Sequence, residues 1–154
     1  VRSQAAAEIS DTEVIDTRFG KVAIYRDRPI VFANGLLGMP DKSQFCLTNL
    51  PGEKLSRFTL LQSLEDLKLS FITLPVGLDN PVIAREDLEQ AAKDINIPSA
   101  DLVTLLIVTV HRGDGSVKLS VNARAPIFVH AERRHATQYV FPHTKYDIRH
   151  TIAL

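Results

Sequence analysis

The sequence predicts a mainly β fold: a small single-domain β-barrel or sandwich of about ten short antiparallel strands, with one helix at about residues 84–95. Short runs of β-branched, aromatic and aliphatic residues recur along the chain, separated by turn-forming Gly, Pro, Asn and Asp. The run LVTLLIVTV at residues 102–110 is continuously apolar, which is typical of a strand covered on both faces. Helical spacing of apolar residues is convincing only in residues 84–95, so strands should dominate.

The first half of the chain is predicted to consist of strands joined by tight turns. Residues 13–18 and 21–25 flank Phe19-Gly20, where glycine can adopt the positive φ that a tight hairpin requires. Residues 34–40 are predicted to form a loop, because Asn, Gly and Pro interrupt them. The other strands predicted in this half are residues 29–33, 44–49, 58–61 and 69–76.

The predicted helix follows residues 79–81, where Asp, Asn and Pro are typical of a helix start, and Asn96 and Pro98 should end it. The residues on its apolar face are Leu88, Ala91, Ala92 and Ile95. Its acidic first turn, which complements the helix dipole, contains Glu86, Asp87 and Glu89. The strands predicted after the helix are residues 102–110, 117–121, 127–130, 137–141 and 145–149.

Length, charge and cysteine content limit the class of protein. A chain of 154 residues with 45% hydrophobic content can form one domain with a core, which we place at residues 13–150 after a flexible leader at 1–12. Lys plus Arg and Asp plus Glu both number 18, so no net field draws the chain to nucleic acid or a membrane. The single cysteine and the lack of a secretory signal or a long apolar run favour a cytoplasmic protein.

The residues that could carry chemistry have structural explanations. No array of nucleophile, base and acid is recognisable, so we expect neither an enzyme nor a cofactor. The five histidines lack the closely spaced ligand pairs of a zinc site, so no metal is expected. Cys46 lies in a strand-like apolar run, where a buried and unreactive thiol is expected.

Two parts of the chain are candidates for binding a partner. Leu36, Leu37 and Met39, in the predicted loop, would expose apolar surface unless they pack on the core, which we favour, or contact a partner. The C-terminal end is basic, since residues 111–150 carry seven Lys or Arg, three Asp or Glu and all five histidines. An alternative function is therefore a small β-barrel RNA-binding module that uses this basic end, although stacking aromatics are few. Its basic side chains are Arg124, Arg133, Arg134, His135, Lys145 and Arg149.

Seven short motifs occur in a specific order after residue 13. They are Phe19-Gly20, Ile-x-Phe-x-x-Gly-Leu-x-Gly at 30–38, Leu-Gln-Ser at 61–63, Leu-x-Ile-Val-Thr-Val at 105–110, Asn-x-x-Ala-Pro-Ile at 122–127, Arg-x-x-x-x-Gln at 133–138 and Tyr-x-x-Arg at 146–149. In order and spacing the chain resembles the flagellar assembly factor FliW family. Each motif alone is weak, but their order over roughly 130 residues is specific.

The resemblance implies a non-catalytic protein with two partners. Family members bind newly made flagellin and also the carbon storage regulator, a small RNA-binding dimer that blocks flagellin translation. Flagellin and the regulator would compete, so that export of flagellin frees the factor to capture the regulator and relieve repression. We expect a monomer that binds neither a membrane nor nucleic acid directly. The candidate partner-binding residues are Leu36, Leu37, Met39, Gln62, Arg133, Arg134, Tyr146 and Arg149.

Overall fold

The computed structural model describes residues 12–153. Within them lie eleven strands and one α-helix, α1 (Arg85–Asp94), which confirms the predicted mainly β class. The strands are β1 (Thr12–Thr17), β2 (Gly20–Tyr25), β3 (Ile30–Phe32), β4 (Gln44–Asn49), β5 (Thr59–Ser63), β6 (Ser70–Val76), β7 (Leu102–Gly113), β8 (Ser116–Val121), β9 (Ile127–His130), β10 (His135–Gln138) and β11 (His150–Ile152). Apart from Thr12, which begins β1, the predicted leader lies outside the described residues.

Seven of these strands close into a barrel. Their order around the ring is β7-β6-β5-β4-β3-β10-β9, and β9 pairs with β7 to complete it. Every pairing in the ring is antiparallel except that of β3 with β10, which run parallel. A closed ring leaves no free strand edge within the barrel itself.

Strand β7 is longer than the others and connects the barrel to the strands outside it. Its first half pairs with β6 and β9, whereas residues 108–113 pair with β8, which in turn pairs with β11. β1 and β2 form a separate antiparallel hairpin. Its two turn residues are Arg18 and Phe19, one position before the predicted Phe19-Gly20, and Gly20 begins β2 with a φ of 110°.

The buried side chains form two clusters, one on each side of the barrel wall. Because neighbouring residues of a strand point to opposite faces, Leu105 belongs to the inner cluster and Leu106 to the outer one. The outer cluster packs the β1–β2 hairpin, α1 and the C-terminal segment against the barrel. Cover on both faces, predicted for residues 102–110, is complete at residues 104–106, which are at most 2% exposed.

Helix α1 buries the predicted apolar face and ends where the sequence indicated. Leu88, Ala91 and Ala92 are buried, and Asn96 leaves the helix with a φ of 59°. Residues 79–81, which were expected to start the helix, instead form a turn before it. The Asn80 Oδ1 atom accepts hydrogen bonds from the N–H groups of two residues that precede the helix. Among residues 12–153, no helix combines the length and apolar character needed to cross a membrane.

The C-terminal strands are displaced from their predicted positions. The prediction of a strand at residues 145–149 is wrong, because Tyr146 is buried there and bonds to Ala84 and Asp87 at the start of α1. The last strand is β11, which starts at His150. β10 begins at His135, before the predicted residue 137, because a tight turn with Arg134 at a φ of 56° reverses the chain immediately after β9.

Candidate functional site

The loop at residues 34–40 separates its three apolar residues. Leu36 is buried in the inner cluster, Leu37 is 54% exposed and Met39 is partly buried. Gly35 makes this shape possible, because its φ is 66° and a Cβ there would lie 2.5 Å from the Met39 carbonyl oxygen. Of the three candidates, Leu37 is therefore the one that faces solvent most fully.

Leu37 lies beside a backbone segment, residues 122–126, that organises this part of the surface. Gln138 joins the two, since its Oε1 accepts the Leu37 N–H at 3.0 Å and its Nε2 donates to the Ala125 carbonyl at 3.1 Å. The same segment accepts the Phe141 N–H at the Arg124 carbonyl, at 3.0 Å. Three of the motifs identified in the sequence, at 30–38, 122–127 and 133–138, meet here.

These hydrogen bonds bring further exposed apolar side chains to the same segment. Val140 precedes Phe141 and is 46% exposed, and Ile148 is 61% exposed. Ile148 follows Asp147, whose carbonyl accepts the Ala123 N–H at 3.0 Å. We call Leu37, Val140 and Ile148, with the neighbouring Arg124 and Arg149, the loop surface.

Tyr146, another candidate, holds the C-terminal segment on α1. It is buried, its hydroxyl donates to the Asp87 carboxylate, and the same oxygen accepts the Ala84 N–H at 3.0 Å. Lys145 Nζ lies 2.9 Å from the same carboxylate. The hydrogen bond from Tyr146 and then that from Lys145 hold the pKa of Asp87 below its usual value, whereas burial and the Asp87 hydrogen bond raise the pKa of Tyr146. In this conformation Tyr146 has no free hydroxyl to offer a partner.

Gln62 is also internal. Its side chain is fully buried on β5, and Nε2 donates to the carbonyls of Ser63, Leu67 and Leu69 at 3.1 to 3.2 Å. These bonds fix the turn between β5 and β6. A partner could reach Gln62 only if this turn opened.

The two arginines of the β9–β10 turn differ in their surroundings. Arg133 is exposed, whereas Arg134 is partly buried and its Nη2 donates to the Arg28 carbonyl at 2.9 Å. The Arg134 carbonyl also accepts the Val31 N–H at 2.9 Å, which closes the barrel between β3 and β10. Arg134 is thus a structural residue, and Arg133 is the one free to meet a ligand.

The predicted basic end is divided by the helix. Lys145 is paired with Asp87 in the first turn of α1, while Arg133 borders a cavity of about 270 Å³ with Ile95 and Asn96, beyond the last turn. A ten-residue helix separates these ends by about 15 Å. Asp94 also lies along this face, where its Oδ2 accepts the Tyr139 hydroxyl at 3.0 Å. Carboxylates therefore interrupt the cationic surface.

A second surface was not predicted from the sequence. It is a groove of about 550 Å³ between the β1–β2 turn, the short 3-10 turn Glu53–Leu55 and strands β6, β7 and β8. We call it the apolar groove. Its lining residues are Phe19, Lys54, Leu55, Phe58, Ile72, Val108, Val110, Arg112, Val117 and Leu119. No local pattern could have indicated it, because its residues come from five elements spread over 100 positions.

Two chemical expectations can be compared with the structure. Cys46 is buried, and burial raises the pKa of its thiol, which disfavours the nucleophilic thiolate. Within residues 12–153, no group of three or more His, Cys, Asp or Glu side chains is placed to hold a metal ion.

The fold and these surfaces define a small closed β-barrel protein with exposed apolar surfaces. The model of the family described as FliW protein matches residues 13–152, so the chain belongs to the FliW family. It is similar to the flagellar assembly factor FliW of Syntrophus aciditrophicus, with 27% identity over 140 residues that cover 91% of this chain and 87% of the relative. For the factor of Natranaerobius thermophilus the identity is 29% over 142 residues, with 91% of each chain covered.

A solved structure gives the same fold. A crystal structure of the flagellar assembly factor FliW superimposes with a TM-score of 0.65 at 22% identity, covering 90% of this chain and 96% of that one. At this level of identity the likeness concerns the fold alone. It agrees with the barrel described above, and the resemblance inferred from the ordered motifs is confirmed by the family match.

Proposed function

We propose that this flagellar assembly factor is a non-catalytic, monomeric cytoplasmic protein that binds flagellin and antagonises the carbon storage regulator. The observation that carries the proposal is the family match over residues 13–152. Exposed large apolar side chains at the loop surface and in the groove between the β1–β2 turn and β6 to β8 support it, because exposed apolar surface commonly marks protein contacts.

Competition between the two partners makes the protein a switch. Flagellin bound to the factor leaves the regulator free to repress flagellin translation, and exported flagellin leaves the factor free to bind the regulator. Binding linkage is reciprocal, so each partner lowers the affinity for the other by the same ratio. No covalent step is needed.

The loop surface is the proposed contact for flagellin that follows from the sequence. The Gln138 hydrogen bond fixes the Leu37 backbone and buried Leu36 anchors the loop in the barrel, so the position from which the exposed Leu37 side chain projects is already set. A loop that is already ordered lowers the entropic cost of binding.

The proposal is tested by measuring each partner separately with the purified chain. We expect flagellin and the regulator each to form a complex in titration calorimetry, and flagellin leader RNA to show no mobility shift with the chain alone at physiological salt. Salt-sensitive RNA binding that disappears in Arg133→Ala would instead favour the RNA-binding module. Arg133 is the right position for this control because replacing Arg134 would also disturb the barrel.

A further inference from the structure

The apolar groove exposes side chains that a folded monomer would otherwise bury. Leu55 and Val117 are 38% and 39% exposed, and Phe19, Ile72 and Val110 are only partly buried. Its volume of about 550 Å³ lies within the range of about 300–1,000 Å³ that is typical of ligand pockets. It continues into a second cavity of about 520 Å³, so the apolar surface is extended rather than a single pit.

The charged residues that line the groove are all cationic. Its lining residues include Lys54 and Arg112, the adjoining cavity adds Arg18, and none of the residues lining either cavity is Asp or Glu. The Arg18 guanidinium lies 4.7 Å from the Phe19 ring centroid. Within the part of the chain that the structure describes, neither Lys54 nor Arg112 forms a salt bridge. The apolar groove is therefore edged with cations that form no salt bridge in the described part of the chain.

We propose that the apolar groove binds an apolar segment of flagellin that is flanked by carboxylates. This inference rests on the proposed function and identifies a surface for one of its partners. The apolar side chains of such a segment would fill the apolar groove, and its flanking carboxylates would pair with Lys54 and Arg112. A basic partner surface is the poorer match, because like charges at the groove edge would repel it.

Residues 1–11 of this chain are a weaker candidate for the groove. β1 starts at Thr12, at the end of its hairpin opposite the Arg18-Phe19 turn that lines the groove. Residues 1–11 also contain only Val1 and Ile9 as large apolar side chains.

The test compares flagellin binding by three variants. Val117→Glu places a carboxylate in the groove at an exposed strand position, and Arg112→Glu reverses a charge at its edge. Val14→Glu is the matched control, since Val14 is 64% exposed on β1 and lines neither cavity. We expect the flagellin Kd to rise about tenfold or more in both groove variants, to change by less than about twofold in the control, and regulator affinity to stay unchanged in all three.

The possible outcomes separate the groove from the broader function. If both groove variants bind flagellin as tightly as the wild-type chain does, the groove assignment is overturned and the proposed function stays intact. Equal loss of flagellin and regulator binding overturns the assignment of the groove to flagellin. Failure of the wild-type chain to bind flagellin overturns both.

Tm values are measured alongside, and Arg112→Glu, which changes no buried side chain, decides the matter if Val117→Glu unfolds.

Discussion

Asp87 illustrates how a single side chain can have more than one structural role. A carboxylate in the first turn of a helix is explained by the helix dipole, and the sequence supported that explanation for Asp87. The structure adds the Tyr146 hydroxyl and Lys145, which lie 59 and 58 positions away in the chain. Only folding brings these groups together, so no local pattern could have predicted the pairing.

The Asp87 contact should make stability depend on pH. Since its pKa is lowered below the ordinary 3.8, the contribution of the carboxylate is complete above that value and is lost as the pH falls through the lowered pKa. Asp87→Asn should therefore cost about 1 kcal/mol at neutral pH. Denaturant unfolding should show this difference shrinking below about pH 4. A difference that stays constant down to pH 2 would contradict this explanation.

Truncation of the neighbouring residues Leu36 and Leu37 to Ala should affect different quantities, folding stability for Leu36 and flagellin binding for Leu37. Leu37→Ala removes an exposed side chain and should weaken flagellin binding by about 1 to 2 kcal/mol with little change in Tm, if the loop surface is a contact. Leu36→Ala leaves a cavity in the barrel and should cost about 2 to 5 kcal/mol of folding free energy. Calorimetry and chemical unfolding of the two variants give both quantities. Normal flagellin binding by Leu37→Ala would remove Leu37 from the interface.

At the scale of elements, strands with strong local signals were predicted well. β4 and β9 have the predicted bounds, 44–49 and 127–130, because apolar runs bounded by turn residues decide both. The strand predicted at residues 145–149 does not form, because Tyr146 packs inward and bonds to Asp87 of α1, whereas Ile148 is 61% exposed. Ring closure by β3 and β10 was not predictable either, since that pairing joins residues about 100 positions apart.

The loop at residues 34–40 offers a test of element geometry with its own control. Gly35→Ala should be clearly more destabilising than Gly38→Ala. Both glycines have positive φ, at a cost of about 1 to 2 kcal/mol for an L side chain, but only at position 35 would a Cβ collide with backbone. Thermal unfolding of the two variants measures the difference. Equal losses of stability would show that the loop is not closed as tightly as described.

At the scale of the whole molecule, neutrality and the divided basic surface both bear on nucleic-acid binding. The chain has a formal net charge of zero, and Asp87 and Asp94 interrupt the cations near α1. Because affinity for RNA arises largely from uninterrupted positive charge, direct RNA binding should be weak. A protein-directed switch requires no such surface.

A titration that combines the chain, the regulator and flagellin tests the proposed switch. The regulator is first bound to fluorescently labelled flagellin leader RNA, and the chain is added while RNA anisotropy is recorded. We predict that anisotropy falls to the value of free RNA as the regulator is captured, and rises again when flagellin is added in excess. Anisotropy that does not fall on addition of the chain, or that does not recover with flagellin, would show that the chain is not such a switch.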